Sequence, residues 1–143
     1  MLFVSVLVSG TLNLFLNTTV IPKLYTFQGA RQALEIYERQ RKGNDVLLNL
    51  QLEEYELFYY SNSNIQEFTN WEDFYVLFEK AGTWIYTNKI GYEGILKLNH
   101  RLDSVFKIRY RGMNEITFRF LNPWTRQDEL KENYLIKVNS DDF

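Results

Sequence analysis

The chain has 143 residues, 45% hydrophobic and 17% aromatic, enough for one compact core and too little for two ordinary domains. Sixteen Lys and Arg against eighteen Asp and Glu leave a formal charge of −2, so no global basic field draws it to DNA or RNA. With no Cys and a single His, disulfides, iron–sulfur ligation, a Cys nucleophile and Cys/His zinc sites are excluded, and only a carboxylate metal site stays open.

Met1 to Pro22 carries no charge, the first charged residue being Lys23. A helix rises about 1.5 Å per residue, so roughly 20 residues cross a ~30 Å hydrocarbon layer, and this run just meets that length. Asn13 and Asn17 interrupt it, and an amide at that depth is expected to seek a neighbouring helix. Two rivals are weighed against a transmembrane helix over 1–22. A cleaved signal peptide lacks its basic n-region here, and a buried core segment of a soluble domain passes the same composition test. Pro22 is expected to end the helix, and residues 23–143 to form a soluble α/β domain.

Along that domain, Phe27, Ala30, Leu34 and Tyr37 fall at helical spacing, with Gly43 as the stop and the cations from Arg39 to Lys42 complementing the helix dipole. Val46-Leu47-Leu48 and Leu57-Phe58-Tyr59-Tyr60 read as short buried strands, the second closing at Ser61-Asn62-Ser63-Asn64. Asn70 reads as an N-cap for a helix with Phe74, Leu77, Phe78 and Ala81 on one face and Gly82 beyond its end. Trp84-Ile85-Tyr86 follows as a strand, which makes residues 55–87 a βαβ unit with parallel pairing.

Lys89 to Leu98 predicts a helix weakened by Gly91 and Gly94, with Tyr92, Ile95, Leu96 and Leu98 seeking burial. Val105 to Arg111 and Ile116 to Phe120 alternate with period two and are read as an antiparallel hairpin through Gly112-Met113-Asn114. Tyr134 to Val138 is the last strand, and Asp141-Asp142 a frayed end. The fold expected is α/β (α+β): a small mixed sheet with a βαβ unit and a C-terminal antiparallel hairpin, preceded by one hydrophobic helix.

The concentrated basic patch is Lys107, Arg109, Arg111 and Arg119, four cations on one sheet face that could hold a phosphate or a lipid headgroup. The plainer explanation is the solvated face of a half-exposed hairpin. Glu53, Glu54 and Glu56 read as surface charge rather than a metal or glycoside site. His100 has no sequence-visible Ser or Cys partner. No P-loop, GxGxxG or HExxH is present, so the residues point to no catalysis, cofactor or metal.

Three stretches together resemble the end of a bacterial integral-membrane glycosyltransferase of the kind related to 4-amino-4-deoxy-L-arabinose transferase and protein mannosyltransferases. They are Asn13-Leu14-Phe15-Leu16-Asn17 leading to Ile21-Pro22-Lys23-Leu24-Tyr25 with Phe27-Gln28; Phe58-Tyr59-Tyr60; and Phe120-Leu121-Asn122-Pro123-Trp124-Thr125-Arg126 followed by Tyr134-Leu135-Ile136. The resemblance implies a last membrane span followed by a small α/β domain outside the cytoplasmic membrane, on the periplasmic side. The parent enzyme would transfer a sugar from a polyprenyl-phosphate donor to an envelope acceptor, with its catalytic acid in an early loop that this chain lacks. The domain would then be non-catalytic, capping the membrane cavity, with Asn122, Arg126 and the basic hairpin as substrate contacts. A stand-alone membrane-anchored interaction module is the rival function. The cations from Lys23 to Lys42 alone would place this side in the cytoplasm; the resemblance implies the opposite side, with earlier spans setting the orientation.

Overall fold

A computed structural model describes residues 2–52, 55–61, 65–68, 71, 74, 82–98 and 102–138. The uncharged N-terminus forms α1 (Leu2–Phe15), a π-helical turn (Leu16–Val20) and α2 (Ile21–Tyr25) in unbroken succession. Pro22 does not end this helix, as the sequence suggests, but sits in the first turn of α2, where a missing N–H costs least. The wider π turn just before it accommodates the ring, with the Ile21 N–H bonding back to the Leu16 carbonyl. Residues Phe3–Tyr25 make one apolar helix of 23 residues that is 0% buried over its most apolar stretch, long enough to cross a bilayer. Its polar side chains turn onto their own helix: the Asn17 amide donates to the Asn13 carbonyl (2.9 Å) and side chain, and Thr11 and Thr18 donate to Leu7 and Leu14. The Asn17 amide thus finds a partner within its own helix.

The rest is a five-stranded mixed sheet, ordered β2-β1-β3-β5-β4, with helices on both faces. Its strands are β1 (Val46–Leu50), β2 (Ile65–Phe68), β3 (Thr83–Asn88), β4 (Leu102–Tyr110) and β5 (Lys131–Val138). β1 pairs in parallel with β2 and β3, while β5 pairs antiparallel with β3 and β4. The strands β1, β3 and β5 are mostly buried, with apolar stretches at Val46–Leu48, Trp84–Tyr86 and Tyr134–Ile136, because they are covered twice. Leu47, Trp84, Tyr86, Ile108 and Leu135 pack under α3 (Gly29–Gln40), against Ala30, Ala33, Leu34 and Tyr37. Leu48, Ile85 and Ile136 face the other way, toward Phe74 and Ile95.

Four readings change. Leu57-Phe58-Tyr59-Tyr60 is not a strand but lies in α4 (Tyr55–Tyr60), where Leu57 is buried and the three aromatics are exposed. One inward residue per turn is helical burial, which an apolar run of four does not reveal. The parallel neighbour of Trp84-Ile85-Tyr86 is instead β1, with Ile65–Phe68 on the far side of β1. Residues 118–120 belong to α6 (Phe118–Leu121), so β4 pairs with β5 rather than with Ile116–Phe120. Thr117 caps α6, its hydroxyl accepting the Phe120 N–H at 3.2 Å. Finally, α3 begins at Gly29 and ends at Gln40, short of Phe27 and Gly43.

The helix expected over 70–81 lies largely outside the described residues, as do Glu53, Glu54, Asn62 to Asn64, His100 and Asp141-Asp142; Trp71 and Phe74 within it are helical. Gly82, at φ +80°, turns the chain into β3. The weak helix is present as α5 (Lys89–Lys97), with Ile95 buried, Tyr92 stacked on Tyr134 at 4.3 Å, and Leu96 exposed rather than buried. Its glycines are sites of close approach: a Cβ on Gly91 would lie 1.9 Å from the Thr87 hydroxyl, and one on Gly94 2.6 Å from the Trp71 ring.

Candidate functional site: the basic edge strand and residues 117–126

Lys107 and Arg109 lie on β4, an edge strand, where charge also guards against pairing with other chains. Phe106 and Ile108, on the opposite face, pack on the core under α3, so the alternation read from sequence is correct over this strand. Glu132, directly across from Arg109 on β5, takes both cations: Lys107 Nζ is 2.7 Å from its carboxylate and Arg109 Nε 3.9 Å. The Lys107 hydrogen bond, reinforced by the charges of Lys107 and Arg109, holds the Glu132 carboxyl below the usual carboxylate range.

Arg111 sits just beyond the strand with its side chain only 14% exposed. It donates to the Glu115 carbonyl (2.8 Å) and the Glu129 carbonyl (2.7 Å), and lies 3.5 Å from the Glu129 carboxylate. Arg119 does not share the sheet face, since it belongs to α6; it reaches the same Glu129 at 3.6 Å. Lys131 bonds Glu115 at 2.5 Å and is the main reason that this carboxyl is also lowered. The basic patch of the sequence is therefore two clusters of ion pairs: Lys107 and Arg109 share Glu132, while Arg111, Arg119 and Lys131 share Glu115 and Glu129. The cations from Lys107 to Arg119 lie close together in sequence, whereas Glu129 and Glu132 come from the 3₁₀ turn Arg126–Glu129 and from β5; Glu115 is the one acid of the site that stands inside that stretch.

Asn122, which is exposed, and Arg126, which is half-buried, also bond within the chain. The Asn122 side-chain oxygen accepts the Trp124 N–H at 3.1 Å, an Asx turn across Pro123. Arg126 donates from Nε to the Phe120 carbonyl (2.9 Å) and from an Nη to the Leu121 carbonyl (3.1 Å), and its guanidinium lies over the Phe27 and Phe120 rings at 5.2 and 5.6 Å. The Asn122 side-chain oxygen and the Nε and one Nη of Arg126 thus build the segment.

A second feature, not legible as a motif, is an open cleft of about 430 Å³ between α3 and α4, lined by Arg31, Leu34, Glu35, Glu38 and Tyr60. Arg31 and Glu35 pair across one helical turn at 3.1 Å. Only the packing of α4 on α3 brings Tyr60 to this row. Among the described residues no group of three or more His, Asp or Glu is placed to hold a metal ion. Compared with family models, with curated proteins and with solved structures, the chain matches none.

Proposed function

We propose that this chain is the membrane-attached, non-catalytic α/β domain of an enzyme that transfers a sugar from a polyprenyl-phosphate donor, held on the extracytoplasmic side of the cytoplasmic membrane. The observation that carries the anchored part is the helix Phe3–Tyr25, apolar and unburied, running without a break through Pro22 into the domain. A soluble protein that left such a surface bare would aggregate. The resemblance in segment order supplies the parent enzyme. Cations that are already bound to Glu115, Glu129 and Glu132 favour a capping role over a chemical one.

The reading frame upstream of Met1 tests this. An uninterrupted frame encoding several apolar spans is expected; an in-frame stop followed by a ribosome-binding site at Met1 overturns the glycosyltransferase reading. That outcome would leave the second reading, a stand-alone membrane-anchored interaction module. It is favoured by a domain whose sheet is covered on both faces by its own helices.

A further inference from the structure

Residues 117–126 combine two features that rarely meet in a surface loop. The first is exposed aromatic surface: Phe118 is 92% and Trp124 89% exposed, with Leu121 beside them at 40%. The second is a backbone closed on itself. The carbonyls of Thr117 and Phe118 accept from the N–H groups of Leu121 and Asn122, that of Arg119 from the Thr125 hydroxyl, those of Phe120 and Leu121 from Arg126, and that of Asn122 from the N–H groups of Thr125 and Arg126. Every carbonyl from Thr117 to Asn122 is thus satisfied from within the segment. Those carbonyls need no water, which lowers the cost of bringing this stretch of backbone against a bilayer surface.

The position of the segment names the medium. Phe27, two residues beyond the end of α2, packs edge to face on Phe120 with ring centroids 5.3 Å apart, and Arg126 covers both rings. The segment is therefore fastened to the exit point of the helix, at the level where a bilayer passes from hydrocarbon to headgroup. Trp and Phe are the side chains that settle there.

We propose that residues 117–126 form a second membrane contact, in which Phe118 and Trp124 seat among the headgroups of a phospholipid bilayer beside the helix Phe3–Tyr25. This rests on that helix being membrane-inserted, and the two ideas fail separately in one experiment. The full chain and its Trp124→Phe variant are reconstituted into phosphatidylcholine vesicles carrying a nitroxide either near the headgroup or at the bilayer centre, and flotation is scored alongside tryptophan emission. The emission assigned to Trp124 is the difference between the two proteins; Trp71 and Trp84 are present in both and cancel. The expected result is that both proteins float and that the Trp124 difference is lost with the shallow nitroxide but largely kept with the deep one. If both float and the difference survives the shallow nitroxide, the second contact is overturned while the anchor stands. If, in addition, that difference is shielded from iodide, another protein surface covers the patch, which also overturns the lipid assignment. If neither protein floats, the anchor itself fails and the proposal with it.

Discussion

Phe27 and Phe120 meet edge to face at 5.3 Å across a gap of more than ninety residues in sequence, and Arg126 lies over both rings. One contact thereby joins the chain leaving the helix to residues 117–126. Phe120 is 1% exposed, so Phe120→Ala is expected to cost about 3–5 kcal/mol. Arg126→Ala strands two carbonyls and should cost about 1–3 kcal/mol. Urea unfolding checks both. A stability unchanged by Arg126→Ala would free that residue for the substrate role that the resemblance implies.

Gly91→Ala places a methyl group against the Thr87 hydroxyl, which itself donates to the Leu50 carbonyl at 3.0 Å. Helix propensity alone predicts a gain of about 1 kcal/mol for this substitution. The clash should outweigh it, giving a net loss of about 1–3 kcal/mol, read as a lowered denaturation midpoint. A stabilised variant would show that α5 can shift away from β3.

Acid should loosen both ion-pair clusters. The carboxyls of Glu115 and Glu132, ordinarily near 4.5, are held lower in the fold by Lys131 and Lys107 respectively. The unfolded chain then binds more protons than the fold just below 4.5, so the stabilisation present above that value is lost as pH falls through the lowered ones. Glu132→Gln should flatten this acid limb in a pH series of melting temperatures. An acid limb identical to that of the parent would exclude Glu132 from it.

Alkali should act through Tyr37. Burial raises its phenol above 10.0, and its hydroxyl donates to the Asp45 carbonyl at 2.7 Å. A raised phenol gives stability that is complete below 10.0 and lost as pH climbs through the folded value. Tyr37→Phe is expected to cost about 0.5–1.5 kcal/mol at neutral pH, and that gap should narrow above pH 10 because the variant has no phenol to ionise. Parallel melting curves across the whole pH range would contradict this.

The buried-segment reading of the N-terminus makes the opposite prediction to the exposed helix. Removing residues 1–20 should leave a cooperative melt close to that of the parent, since the helix contributes no side chain to either core cluster. Collapse of the melt would show that those side chains are core after all.

What could be read in advance follows from how each segment is buried. β1, β3 and β5 announce themselves as apolar runs because helices cover both faces of the sheet, and α3 and α5 do so because Leu34, Tyr37 and Ile95 recur at the helical period. The two short helices α4 and α6 failed. Among their described side chains Leu57 faces inward in α4 and Phe120 in α6, so a single anchor among exposed aromatics imitates a strand. The candidate site divided similarly: the cations from Lys107 to Arg119 and the acid Glu115 lie close together in sequence, whereas Glu129, Lys131 and Glu132 arrive from β5 and the adjoining 3₁₀ turn, a relation that the antiparallel register of β4 on β5 creates.

Between helix and sheet the chain is fastened at several points. The Gln32 amide donates to the Thr26 and Arg109 carbonyls, both at 3.0 Å, and the Arg111 N–H donates to the Phe27 carbonyl at 2.9 Å. The junction is a bracket rather than a tether. Were the helix inserted in a bilayer thinner than its hydrophobic length, tilt would absorb the difference, and through this bracket the tilt would become rotation of the whole domain, so membrane thickness would set which face of the sheet looks along the surface.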